Sequence, residues 1–183
     1  MKTGQEIRDW SILMKENNKG FSLVELLIIM AVLGIASSAA FMGFNVIHNS
    51  NVNNSAGTVN STLASIRMNN MSKVNMQYLQ IYKVDGFYYY RVDDKANIDF
   101  NYKLHKLGTS STGISYIIGS TGNSIRLTDN RGISITFNRS GECKLYNSDG
   151  SLNASDLLGI SFFNATRNKT IRILPAIGKH YLK

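Results

Sequence analysis

Cysteine is almost missing from this sequence: Cys143 is the only one in 183 residues. No intramolecular disulfide can form, and no thiolate cluster can hold a metal. Proline is equally scarce, with Pro175 alone, and a proline in that strand-rich region marks a strand end or a sheet edge. His48, His105 and His180 lie far apart and lack ligand spacing. No glycine-rich phosphate loop, nucleophile elbow or paired-cysteine motif occurs. These absences remove the usual groups of catalysis, so the chain reads as a structural or binding protein without cofactor or metal. Charge is missing in two places. No charged residue occurs from Leu26 to Ile47, and no acidic residue follows Asp156.

The first gap is a hydrophobic run. As a helix, Leu26–Ile47 would be about 33 Å long at roughly 1.5 Å per residue, which matches a hydrocarbon core of about 30 Å. Lys15 and Lys19 stand just before it, whereas the first basic residue after it is Arg67. That asymmetry puts the N-terminus in the cytoplasm and the remainder outside. The formal net charge is +8, and from Asn45 onward 16 basic and 8 acidic residues account for all of the excess. A basic outer domain suits anionic polymers without choosing among them.

Three arrangements fit residues 1–47. One is a plain signal-anchor helix, and a second is a secretory signal peptide cut near Ala39 and Ala40. The third starts from "KGFSLVELLIIMAVLGI", Lys19 to Ile35, where a lone acid, Glu25, sits just inside the apolar run. A basic leader, Gly20, Phe21, a fixed spacing to Glu25 and an unbroken apolar helix resemble the class III signal of type IV pilins and of type II secretion pseudopilins. The resemblance implies that a prepilin peptidase cuts after Gly20 and that Phe21 becomes the N-terminus and is methylated on its amine. Glu25 would then serve filament assembly by meeting the N-terminal ammonium of a neighbouring subunit. Methylation keeps that ammonium's charge. An ionised acid costs about 2.5–3.5 kcal/mol at mid-membrane and less near an interface, so Glu25 is tolerable where it stands. The implied partners are the peptidase, other pilins or pseudopilins through the helix, and an inner-membrane assembly platform. The implied location is the cytoplasmic membrane first, then an extracellular or periplasmic filament.

Gly34, Ala36, Ser37, Ser38, Ala39, Ala40 and Gly43 slim the second half of the run and permit close helix contacts. Many pilins carry a proline where this chain has Met42, and unwind between it and a glycine like Gly34; the missing proline puts such unwinding in doubt. In the leader, Ile7, Trp10 and Met14 can share one face of a helix.

Beyond Ile47 the apolar spacing changes. Val52, Ala56, Val59, Leu63 and Ile66 recur every three or four residues among Asn, Ser and Thr, which predicts an amphipathic continuation that fades near residues 69–74. From Met76 the pattern is that of strands. "MQYLQIYKV", Asp85-Gly86 and "FYYYRV" read as a hairpin around a two-residue turn. Tyr88, Tyr89 and Tyr90 should divide between core and surface. Further strands are expected over 113–119, 123–129, 132–138, 142–147, 158–164 and 169–182, with Ile133, Ile135 and Phe137 forming the buried side of a half-buried strand. The fold class is therefore α+β: a long N-terminal helix, membrane-inserting in its first half and amphipathic in its second, packed on a small, mostly antiparallel β-sheet domain. The segments are a leader (1–20), a membrane or filament-core helix (21–47), its amphipathic continuation (48–74) and a globular β domain (75–183).

The order helix, hairpin, "ISITFNRSGECKLYN" and "KTIRILPAIGKHY" is similar to minor pilins and pseudopilins of GspH/FimT type. That resemblance implies a strand ending in Phe137, a turn with Gly141 and a terminal hairpin with Gly178. It leaves open pilus, secretion or competence machinery. Arg167, Lys169, Arg172, Lys179 and Lys183 accumulate after the last acid, with Tyr181 among them. On an exposed hairpin they would offer contacts to DNA or another polyanion; a solvated basic face is the simpler alternative.

Overall fold

The computed structural model describes residues 21–72 and 75–183, and gives residues 39–48 as helical backbone only. The chain divides into two compact units, Met1–Gly43 and Phe44–Lys183. One helix, α1 (Leu23–Ser72), begins in the first and ends in the second. It is unbroken between Gly34 and Met42, so the unwinding associated with a proline in that region does not occur here.

In the first unit the described side chains of α1 are all exposed, and apart from Glu25 in the first turn and Ser37 and Ser38 they are apolar on every side. Ser37 and Ser38 turn their hydroxyls back onto the carbonyls of Leu33 (2.6 Å) and Ile35 (2.7 Å), so neither presents an unpaired polar group to its surroundings. A helix without a polar face needs an apolar environment on all sides.

In the second unit the helix has a single buried stripe. Val52, Ala56, Val59, Leu63 and Ile66 are each at most 1% exposed, as their spacing predicts. Asn70 extends the stripe by one turn and is also buried. Its amide nitrogen donates to Gln77 O and Thr136 Oγ1 (2.9 and 2.8 Å) and its Oδ1 accepts from Gln77 N (2.8 Å), so the helix end is tied to the first strand and to a distant one.

Ten strands follow: β1 (Tyr78–Val84), β2 (Phe87–Asp93), β3 (His105–Leu107), β4 (Gly113–Ile118), β5 (Asn123–Arg126), β6 (Arg131–Phe137), β7 (Cys143–Asn147), β8 (Leu157–Phe163), β9 (Asn168–Leu174) and β10 (Lys179–Leu182). They make two antiparallel five-stranded sheets, ordered β3-β2-β1-β6-β7 and β10-β9-β8-β4-β5. Residues of both sheets share one core with the helix stripe, among them Leu79, Ile81, Ile135 and Phe137 from the first and Ile114, Ile160, Phe162 and Ile171 from the second. The expected α+β architecture is thus present. The β1–β2 hairpin turns on Asp85 (φ 51°) and Gly86 (φ 78°), the left-handed pair that such a turn requires. Pro175 directly follows β9.

Three expectations need correction. β3 carries no apolar alternation and was not expected as a strand; pairing with β2 makes it one. β6 is not half-buried: Ser134 and Thr136, on its polar side, are both fully buried. Ser134 donates to Ala96 O, in the segment between β2 and β3 that folds over that face of the sheet, and Thr136 donates to Gln77 O, just before β1. The same cover changes the tyrosine row. Tyr88 lies in the main core, whereas Tyr89 is half-buried and stacks on Tyr82, which forms a small second cluster with Val84 and Ile98.

Candidate functional site

Two regions carry the candidate residues, one in each unit. At the N-terminal junction, Gly20 and the leader residues Ile7, Trp10 and Met14 lie outside the described residues. Phe21 is exposed and precedes the helix. Ser22 caps the helix, and its partner is Glu25. Ser22 Oγ accepts from the Glu25 amide (3.1 Å), and a Glu25 carboxylate oxygen accepts from the Ser22 amide (3.2 Å). This is the reciprocal capping box of a Ser-x-x-Glu sequence, which satisfies two otherwise orphaned helix amides. The positive end of the helix dipole favours the acid there as well. The expected partner of Glu25, a neighbour's ammonium, leaves out Ser22, whose Ser-x-x-Glu spacing is the local signal for this cap. Among the described residues no helix is long and apolar enough to cross a membrane; the side chains of this run are described only as far as Ser38. The small-residue candidates Ala39, Ala40 and Gly43 fall beyond that point.

In the second unit, strand register sorts the basic candidates. Arg172 pairs with Tyr181 and Leu174 with Lys179, and Lys183 exchanges two backbone bonds with Thr170. Directly opposed residues share a face, so Arg172, Lys179, Tyr181 and Lys183 point to one side of the second sheet. Lys169 is one residue out of step with Thr170 and belongs to the opposite face, beside Phe162. Arg167 stands in the turn before β9. The face gathers three of the five candidates and excludes one. It also gains Arg126, from β5 at the far edge, whose guanidinium lies 5.4 Å from the centre of the Phe163 ring. No local signal could have found Arg126, because the β4–β8 pairing that brings it there joins segments distant in sequence.

Phe137, Gly141 and Gly178 come together at one end of the two sheets. A Cβ on Gly178 would fall on the Gly141 carbonyl oxygen and within 2.8 Å of the Phe137 ring. Both glycines also hold left-handed backbone, at φ 60° and 84°. Cys143 N donates to Pro175 O (2.8 Å) and Arg67 donates to Ile177 O (3.0 Å) beside this contact. These bonds clasp the β6–β7 and β9–β10 turns to each other and to the helix. Cys143 itself is buried, and burial pushes its thiol up to about 12. His105 and His180 are occupied with rings, Tyr90 (5.1 Å) and Phe137 (5.9 Å). No metal-ligand cluster occurs among the described residues.

Residues 15–41 match the family model described as the prokaryotic N-terminal methylation motif. No curated protein and no solved structure matches the chain. The match supports a type IV pilin-like precursor, and with it processing by a prepilin peptidase and assembly with other pilins. It points to a structural protein that is membrane-anchored first and later part of a pilus surface.

Proposed function

We propose that the chain is the precursor of a minor pilin or pseudopilin: cut after Gly20, methylated on Phe21, and built into a filament through the helix that follows, with the β domain outside. The observation that carries this reading is the methylation-motif match over residues 15–41, with Gly20, Phe21 and Glu25 at the spacing it needs. The charge-free run from Leu26 to Ile47 supports a membrane-parked stage before assembly. The exposed apolar surface of the described part of the run supports a later stage in which other helices cover it. Glu25 then has two roles in sequence. In the single chain it caps its own helix through Ser22. In the filament it accepts the ammonium that cleavage exposes on an adjoining subunit, so assembly waits on processing.

N-terminal analysis of the protein from its native cells tests the first step. A methylated Phe21 is expected; an intact Met1, or a new terminus near Ala40, rejects the reading. Glu25→Ala should be processed normally yet fail to enter filaments, and normal incorporation would remove Glu25 from the mechanism.

The clustering of Arg172, Lys179 and Lys183 on one sheet face favours a second role, contact with DNA or a surface polyanion once displayed. Such binding should weaken steeply between low and physiological salt. Binding indifferent to salt would exclude it.

A further inference from the structure

Strand β10 is the outermost strand of the second sheet and pairs on one side only, with β9. The reciprocal bonds between Lys183 and Thr170 (2.8 and 3.1 Å) settle which of its backbone groups face inward. Hydrogen-bonded and non-bonded pairs alternate along an antiparallel ladder. Tyr181 therefore bonds across to Arg172, while the N–H and C=O groups of His180 and Leu182 point off the sheet. No described residue hydrogen-bonds to those groups. Tyr181 and Leu182 expose apolar surface beside them, and Lys179 and Lys183 stand exposed at the two ends.

An unpaired edge of this kind is a template for another strand. Charge decides which. A second copy of β10 added antiparallel uses both outward-facing residues only by setting His180 against Leu182, and that register places Lys179 opposite Lys183 twice. Like charges directly opposed destabilise a ladder. Arg172, on the same face as Tyr181, adds a further positive charge, and no acid occurs anywhere after Asp156 to offset them. A strand carrying acidic side chains gains the same backbone bonds and meets opposite charges.

We propose that the free edge of β10 is a docking site for an extended, acidic segment of another polypeptide, which adds as a sixth strand to the second sheet. Lys179 and Lys183 turn away a second copy of the chain and admit that partner. The site stands on edge geometry and charge and does not depend on the filament reading.

The test uses the isotopically labelled full chain in detergent micelles and a synthetic ten-residue peptide that alternates Glu with Thr and Val. Without peptide, the His180 and Leu182 amides exchange freely; with it, their exchange slows by about tenfold or more, while the Tyr181 and Lys183 amides, already bonded to β9, change little. His180→Pro removes an outward N–H and no bond to β9, together with the ring stacked on Phe137, and peptide affinity falls about tenfold. Leu182→Pro tests the second outward amide in the same way. Reversing both lysines to Glu abolishes peptide binding. Unchanged exchange at His180 and Leu182 under saturating peptide overturns the proposal without recourse to any variant. Equal protection of those amides by a single-stranded oligonucleotide of the same net charge assigns the edge to polyanions in general and overturns it too.

Discussion

The first and second parts of α1 are one helix with opposite relations to the rest of the chain. From Leu23 to Ser38 large apolar side chains are exposed on every side; Leu27 keeps 63% of its surface. From Val52 to Ile66 apolar residues occupy one stripe only, and Leu63 keeps none. The second part is finished by its own β domain, since every member of its stripe touches the shared core. The first part calls for an apolar surrounding that the described residues do not supply. Backbone geometry is the same in both parts, so the difference lies wholly in side-chain pattern. An amphipathic stripe demands one partner surface, and a uniformly apolar cylinder demands an apolar surrounding.

The contrast is sharpest in paired truncations. Leu63→Ala should cost about 2–5 kcal/mol in chemical unfolding of the second unit, whereas Leu27→Ala should leave it within about 0.5 kcal/mol. Equal losses would show that the two parts are not independent in this way. Glycines give a second pair. Gly178→Ala drives a methyl into the Gly141 carbonyl and the Phe137 ring at a left-handed position, and should cost about 1–3 kcal/mol in thermal unfolding. Gly57→Ala meets nothing within 4 Å on the helix and should gain about 0.5–1 kcal/mol. A destabilising Gly57→Ala would mean that the helix face beside it is closer-packed than the contrast requires.

A third test reads the core by pH. Cys143 titrates near 9.0 when unfolded and is pushed up to about 12 in the folded domain by burial. The folded state thus prefers the neutral thiol. Its contribution is complete below pH about 9 and is lost as pH climbs from about 9 towards 12. Cys143→Ser should flatten that alkaline decline, and an unchanged decline would assign it to other groups. The smallest effect belongs to the helix start: Ser22→Ala removes one side of the capping box and should cost about 1 kcal/mol locally, seen as faster amide exchange at Glu25 and the following turn. No change in exchange there would mean that Glu25 is not held by Ser22 in the single chain.

What was legible in the sequence followed from local rules. The stripe from Val52 to Ile66 could be read because a helix repeats every 3.6 residues. The β1–β2 turn could be read because Asp-Gly supplies the left-handed pair that the turn needs. The capping box is equally local, since Ser22 and Glu25 stand three residues apart. The unreadable parts depend on distant segments. Ser134 and Thr136 look like solvent-facing residues, and only the chain between β2 and β3, together with Asn70 and Gln77, turns their face into an interior. His105–Leu107 has no strand pattern because three residues are too few to show one.

The amino-acid sequence alone determined the helix, its change from uniformly apolar to one-sided, and the run of short strands. Each rests on periodicity or spacing among near neighbours. Only the tertiary structure decided that β1 lies beside β6 and β4 beside β8, that Arg126 joins Arg172 on one face while Lys169 leaves it, and that β10 ends the sheet with the backbone groups of His180 and Leu182 turned outward. Strand order is chosen by which faces bury best together, and that competition among distant segments leaves no local trace.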